Sequence, residues 1–266
     1  MHFRRFVKRT RKKIVTTSDK IRFVCILKRK QKSQDTVFVI GDSHSNFFSG
    51  NEMISFQKVY QFKVNNNDQI INNCNDKRKK FITFHFGPAL AYNLFNYGTQ
   101  SLAREKTEFL IKNRVFSRHA KVLCCFGEID LRVHVLKRAE QYNLDYKKII
   151  DSIIANYLKF LLFLKNNEFD VFVWGPIPSQ KDSLPLDPEF PRFGSESSRN
   201  ICTEYFNSKL MEICKQNNIG FASIYKYLII GEYETNTEYI ADGCHLSQKA
   251  WDFAKIELKK IGLISE

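Results

Sequence analysis

Short apolar runs rich in β-branched and aromatic residues recur along this chain, and each stops on a turn former. Residues 36 to 40 end at Gly41, 81 to 86 at Gly87-Pro88, 121 to 126 at Gly127, and 171 to 174 at Gly175-Pro176. Runs of this length suit strands, and the unbroken apolar interior of 121 to 126 suits a strand covered on both faces. Segments of helical spacing lie between them. In 146 to 165, Ile149, Ile150, Ile153, Ile154, Tyr157, Leu158, Leu161 and Leu162 make one broad apolar face. Residues 89 to 96, 101 to 112, 198 to 217 and 248 to 261 also read as helical, and 220 to 224 as a further strand. Residues 56 to 64 alternate partly, as a second strand would, and the Asn-rich then basic stretch 65 to 80 reads as an exposed loop. Strand and helix in alternation imply an α/β fold, a three-layer sandwich with a central parallel sheet of about five strands.

With 266 residues, 43% of them apolar, the chain can bury one sizeable core, so one domain with an extension is expected. It shows no internal repeat and no apolar stretch near the roughly 18 residues of a membrane span. The formal net charge of +14 is concentrated at one end, because residues 1 to 32 carry 13 Lys or Arg against the single acid Asp19. This divides the chain into a basic extension, 1 to 34, and a domain, 35 to 266. Within the extension, 21 to 27 is a short apolar run, either an edge strand or a surface-lying segment. Such an extension reads first as a solvated disordered tail and next as a contact with an anionic membrane or a nonspecific polyanion; no recognisable nucleic-acid motif supports sequence-specific binding. Seven cysteines give neither an even disulfide count nor a C-x-x-C pair, which points to a reducing compartment and a cytoplasmic location. The Arg-rich, acid-poor start lacks the apolar core of a secretory signal and also has the character of an organelle transit peptide.

Open α/β sheets gather ligands at the C-terminal ends of their strands, so the loops 41 to 46, 87 to 89, 127 to 132, 175 to 193 and 239 to 246 should share one edge. The first holds Gly41-Asp42-Ser43-His44 and the last Asp242-Gly243-Cys244-His245. A serine becomes nucleophilic near neutral pH only with a general base beside it, and the base needs a third group to hold its tautomer. Ser43, His245 and Asp242 can fill those three roles. Each motif also has a plainer reading: Gly-Asp-Ser are all turn formers, and Asp242 could cap the helix that follows Ser247.

The blocks 41 to 44, Phe86-Gly87-Pro88, Phe126-Gly127-Glu128-Ile129-Asp130 and 242 to 245, in that order, resemble the SGNH (GDSL-type) hydrolase superfamily over residues 36 to about 260. The resemblance implies catalysis by Ser43, Asp242 and His245. It also implies an oxyanion hole built from the Ser43 N–H, the Gly87 N–H and an asparagine amide in the third block. Glu128 stands at the asparagine position, and an ionised carboxylate only accepts hydrogen bonds. Three arrangements relieve the conflict: Glu128 protonated by burial, Glu128 paired with Arg132 four residues on, or Glu128 holding a sugar hydroxyl. Pairing with Arg132 is the expected one.

The activity implied is hydrolysis of a small acyl ester, acetyl foremost, on a small molecule or carbohydrate through an acyl-enzyme. Transfer of the acyl group to a glycan, or a non-catalytic glycan-binding module, are the alternatives. No cofactor is implied, and no His, Cys, Asp or Glu group shows convincing metal-ligand spacing. His44 and His134 are candidates to line the pocket. His85 reads as a near-core histidine and Cys244 as a small buried hydrophobe. Phe47, Phe48, Tyr92, Trp174, Phe190 and Phe193 fall in possible pocket loops, with Phe190 and Phe193 reading as a lid or wall.

Overall fold

The computed structural model describes residues 36 to 265 apart from 186, 187, 189 and 190, and omits the side chains of 58 and 59. The basic extension, including the apolar run 21 to 27, and Phe190 lie outside the described residues.

Strand β1 (Val37–Gly41) is buried along its whole length. It lies at the centre of a seven-stranded sheet with β2 (Phe56–Val64), β3 (Asn67–Cys74), β4 (Phe81–His85), β5 (Lys121–Cys125), β6 (Asp170–Trp174) and β7 (Gly220–Ala222), in the order β2-β3-β4-β1-β5-β6-β7. The run from β4 to β7 is parallel, and it forms the expected core sheet. Side chains alternate across it with period two. Phe38, Ile40, Val122, Cys124, Val171 and Val173 face one apolar layer; Val37, Val39, Leu123, Cys125 and Trp174 face the other. Each such buried Val, Leu, Ile or Phe contributes roughly 1.5–3 kcal/mol relative to exposure, which is why strands this short hold their register.

Among the described residues six helices follow in chain order: α1 (Asn46–Ser49), α2 (Ala103–Lys112), α3 (Leu136–Tyr142), α4 (Tyr146–Asn166), α5 (Glu196–Gln216) and α6 (Trp251–Lys260). Buried residues of α2, α4 and α5 belong to the first layer, and those of α1 and α6 to the second. Asp145 starts α4 by accepting the Lys147 N–H at 2.9 Å, a side-chain cap on an otherwise unpaired donor. The expected helix at 89 to 96 is only the 3-10 turn Ala91–Asn93.

The stretch 65 to 80 is not simply a loop. Its first part is β3, which pairs antiparallel with both β2 and β4 and makes the sheet mixed at this edge. Asn65 and Asn66 form the two-residue connection with φ of 49° and 66°. Two consecutive positive φ values belong to a type I′ hairpin turn, and asparagine is among the few non-glycine residues that adopt them readily. The polarity of β3 hid it from hydrophobic patterning, since Asn67 and Asp68 are exposed and Ile71 is its buried aliphatic anchor.

Candidate active site

β1 delivers Ser43 to the edge of the sheet. A Cβ on Gly41 would lie 2.6 Å from the Cys125 carbonyl oxygen, so the chain passes β5 too closely for any larger residue and turns at once. The turn is stiffened by Asp42, whose N–H donates to the Cys125 carbonyl at 3.3 Å and whose Oδ1 accepts the His44 N–H at 2.9 Å. Ser45 Oγ donates to the Asp42 carbonyl at 2.7 Å. Ser43 opens the resulting 3-10 turn, Ser43–Ser45. Burial raises the Asp42 carboxyl to about 6, against the opposing pull of His44.

The second motif arrives on a tight loop closed by an antiparallel bridge between Ile240 and Leu246. Asp242 Oδ1 accepts the N–H groups of Cys244 and His245 at 3.2 and 2.9 Å, folding the loop on itself. Asp242 therefore does not cap the helix that follows. Ser247 does, accepting the Lys249 N–H at 3.3 Å. The far side of the loop is tied to the segment after the Ser43 turn through Glu52, whose Oε1 accepts the Gln248 N–H at 2.9 Å and the Ser247 hydroxyl at 3.2 Å. Gln248 Nε2 donates to the carbonyls of Phe47 and Asn51, each at 3.1 Å.

Two loops about 200 residues apart thus meet in register. His245 Nε2 is 2.7 Å from Ser43 Oγ, and His245 Nδ1 is 2.7 Å from Asp242 Oδ2. Burial would raise the Asp242 carboxyl, but the His245 ring and the two loop N–H groups hold it well below the usual carboxylate range. A charged carboxylate on Nδ1 places the proton there and leaves Nε2 free to accept one from the serine hydroxyl.

Glu128 and Arg132 are both about 5% exposed and pair at 2.6 Å between Oε1 and Nε, as expected from their spacing. The pair is larger than the sequence suggested, because His44 Nε2 stands 3.1 Å from Glu128 Oε2. Burial alone would raise the Glu128 carboxyl, yet Arg132 and His44 drive it well below its ordinary value. It is a carboxylate, not a protonated acid, with the Arg132 guanidinium on Oε1 and the His44 ring beside Oε2. Burial would likewise lower the His44 imidazole, but Glu128 and Asp42 raise it. The His44 ring lies against His245, centroids 4.7 Å apart. Arg132 also donates to the Pro191 carbonyl at 2.8 Å and its own carbonyl accepts the Phe193 N–H at 2.9 Å, which anchors the proline-rich loop over this cluster.

Gly87 follows β4 with φ of +84° and nothing within 4 Å of an added Cβ. Phe86 N–H donates to the Gly41 carbonyl at 2.8 Å, so Gly87 stands one residue beyond the point where its strand is fastened to the Ser43 turn. Asp130, also buried, accepts the N–H groups of Ala91 and Tyr92 at 2.7 and 3.3 Å and holds the other end of the Gly87 loop. Burial pushes its carboxyl up to about 7.

The cleft at Ser43 has a volume of about 140 Å³ and is walled by Phe47, Met53, Ile54, His44, His245 and Leu246, among others. His134 is not among its lining residues. His85 stacks on Phe56 with centroids 5.4 Å apart, and burial lowers its imidazole to about 4. Of the aromatic candidates, Phe47, Phe48 and Trp174 are buried and pack on one another; Phe47 reaches the cleft wall, whereas Phe48 and Trp174 are not among its lining residues. Cys244 is half-buried with its thiol pushed up to about 12 by burial, then by Glu128 and Asp242. Its Sγ, His245 Nδ1 and an Asp242 oxygen do come within 4.8 Å of one another, a grouping the sequence spacing did not suggest; the same Nδ1 and carboxylate are already bonded to each other.

Sequence reasoning missed Glu52, Gln248 and Asp130. All three act through contacts between segments distant in the chain, and no local pattern marks such contacts.

No protein-family model matches the chain, and no curated protein sequence matches it. Its fold is nonetheless shared with solved structures. A GDSL-like lipase from Bacteroides thetaiotaomicron VPI-5482 superposes with a TM-score of 0.52 at 15% identity, covering 91% of this chain and 96% of that one. A protein named as an acylhydrolase, from Bacteroides fragilis NCTC 9343, gives 0.53 at 15% identity, with 94% and 97% covered. A peptidoglycan O-acetylesterase gives 0.50 at 10% identity, with 90% and 95% covered. The chain has the α/β fold of GDSL-type hydrolases, as the order of its sequence blocks implied.

Proposed function

We propose that this chain is a serine acylhydrolase that removes a short acyl group, acetyl foremost, through an acyl-enzyme on Ser43. The observation that carries the reading is the unbroken line Ser43 Oγ, His245 Nε2, His245 Nδ1, Asp242 Oδ2, with both polar contacts at 2.7 Å. Ser43 Oγ attacks the ester carbonyl as its proton passes to His245 Nε2, and Asp242 stabilises the imidazolium. The tetrahedral oxyanion takes the N–H groups of Ser43 and Gly87. Collapse expels the alcohol, which leaves with the proton from His245. Water, deprotonated by the same nitrogen, then releases the acid and restores the serine.

The size of the cleft supports a short acyl group, since about 140 Å³ is well under the roughly 300–1,000 Å³ of pockets that enclose drug-sized ligands. Hydrolysis is favoured over transfer to a glycan because the His245 and Asp242 side chains are 20% and 35% exposed, so water reaches the base. For the alcohol half we propose a carbohydrate, the class on which the neighbouring peptidoglycan O-acetylesterase acts by name. The partly exposed Met53 and Ile54 at the cleft mouth leave room for an alcohol bulkier than the acyl group.

The test is labelling by a fluorophosphonate probe together with turnover of aryl esters from acetyl to octanoyl. We expect labelling at Ser43 and the highest kcat/KM on acetyl or propionyl. Absence of labelling in folded protein would make it a non-catalytic module, and a preference for octanoyl would refute the short acyl group.

A further inference from the structure

Lys106 projects from α2 into the interior, where it is only 8% exposed. Its Nζ donates to the Phe86 carbonyl at 2.5 Å. Among the described residues it forms no salt bridge. A buried ammonium hydrogen-bonded to one carbonyl, with only the neighbouring Glu105 charge acting to offset its burial, is a costly way to fill space, because a desolvated charge opposes folding. The placement calls for a purpose, and the peptide it grips belongs to Gly87.

Phe86 and Gly87 share one amide plane. The chain contains no cis peptide among its described residues, so the Gly87 N–H points opposite to the Phe86 carbonyl. With the carbonyl turned to Lys106, the N–H faces the other way, and it takes no hydrogen bond among the described residues. The peptide is held along the chain too, by the Phe86 N–H on the Gly41 carbonyl at 2.8 Å and by Asp130 on Ala91 at 2.7 Å.

We propose that Lys106 is a positioning residue, whose ammonium, bonded to the Phe86 carbonyl, fixes and polarises the Phe86–Gly87 peptide so that the Gly87 N–H is presented to the oxyanion formed at Ser43. This deepens the esterase reading and rests on it. A cation on the carbonyl oxygen draws electron density through the amide and makes the N–H a better donor, the more so in a water-poor interior. The gain is realised only when negative charge develops on the substrate oxygen, so Lys106 acts on the transition state and not on substrate binding.

The experiment compares Lys106→Met, which removes charge and donor, with Lys106→Arg, which restores both. Three readouts are taken: kcat, KM for an acetyl aryl ester, and affinity for a small alkyl boronic acid that forms a tetrahedral adduct on Ser43. Lys106→Met should lower kcat about ten- to a hundredfold, a fraction of the effect of losing a whole oxyanion donor, with KM within about twofold. Boronate affinity should fall by the same factor as kcat, and Lys106→Arg should recover most of both. Unchanged kcat and boronate affinity in Lys106→Met would overturn the proposal, and so would a kcat loss with undiminished boronate affinity. If Lys106→Met does not fold, Lys106→Gln, uncharged but still a donor, is put through the same three readouts with the same expectations and the same overturning results. Ser43→Ala separates the two levels. Turnover surviving that change sinks the esterase reading itself, whereas a dead Ser43→Ala beside an unimpaired Lys106→Met sinks only the role of Lys106.

Discussion

His44 Nε2 stands 3.1 Å from Glu128 Oε2, and the carboxylate's other oxygen is held by Arg132 at 2.6 Å. The residue that follows Ser43 is thereby joined to the residue that stands where the family resemblance has an amide donor. A bare carboxylate facing a nascent oxyanion would oppose it, and pairing with Arg132 offsets that opposition. Glu128 is the counter-ion of Arg132 and lies beside the His44 ring.

Glu128→Asn should therefore lower activity, although it restores an amide where the family resemblance has one. Removing one partner of a buried ion pair costs about 3–5 kcal/mol, and here it would leave the buried Arg132 guanidinium without its counter-ion. We expect a lower Tm and a kcat/KM on aryl acetate at least tenfold below wild type, with Arg132→Ala behaving alike. A gain in turnover for Glu128→Asn with Arg132→Ala silent would show that Glu128 is a poor substitute for the donor.

Ser43→Ala and Asp242→Asn should separate chemistry from folding. Both side chains sit at loop positions outside the apolar layers, so Tm should stay within a few degrees. Ester turnover should vanish in the first. In the second it should fall about 10²–10⁴-fold as the imidazole loses its tautomer. Progress curves on an aryl acetate decide the matter, and a fully active Asp242→Asn would remove Asp242 from the machinery.

Asp42 gives a pH signature of stability. Its folded-state carboxyl is raised to about 6 by burial, against 3.8 as the ordinary value. A raised folded pKa gives stability that is fully present below the unfolded value and is lost as pH rises through the folded one, here between about 4 and 6. Asp42→Asn, which cannot ionise, should lose no stability from this source. The stability of the variant relative to wild type should climb by roughly 2 kcal/mol from pH 4 to 7. Urea titrations at several pH values measure it, and parallel curves would mean that Asp42 does not carry the shift.

Glu52→Ala should loosen the loop that carries His245. Both hydrogen bonds from Ser247 and Gln248 end on its Oε1, and each is worth about 1 kcal/mol. We expect Tm to fall by several degrees and kcat to fall severalfold, because a base displaced by about 1 Å loses its line to the serine. Unchanged kcat would show that the loop holds its place without this tie.

Deleting residues 1 to 32 should leave turnover of small esters near the full-length value and weaken salt-sensitive binding to anionic vesicles. The segment carries 13 of the basic residues and none of the site blocks, and such attraction is screened beyond about 10 Å at 0.1 M salt. Co-sedimentation at two salt concentrations tests this. Loss of turnover in a folded truncation would make 21 to 27 part of the domain.

Much of the architecture was legible in the chain itself. Period-two and unbroken apolar runs determined β1, β4, β5 and β6, and the wide apolar stripe of 146 to 165 determined α4, because burial on both sheet faces admits little else. The serine, histidine and aspartate were visible for a chemical reason: Asp242 and His245 are three residues apart, and Ser43 falls at the turn after an apolar strand. The hairpin partner β3 escaped, since its pairing is made by the backbone and its asparagines advertise a loop. What only the tertiary structure decided is the company these residues keep. That Glu128 meets His44 as well as Arg132, that Glu52 ties the histidine loop to the segment after the Ser43 turn, and that Lys106 grips the peptide of Gly87 are long-range contacts. Each pairs a polar group with a partner that chain folding alone brings near, and polar pairing leaves no periodic trace along the sequence.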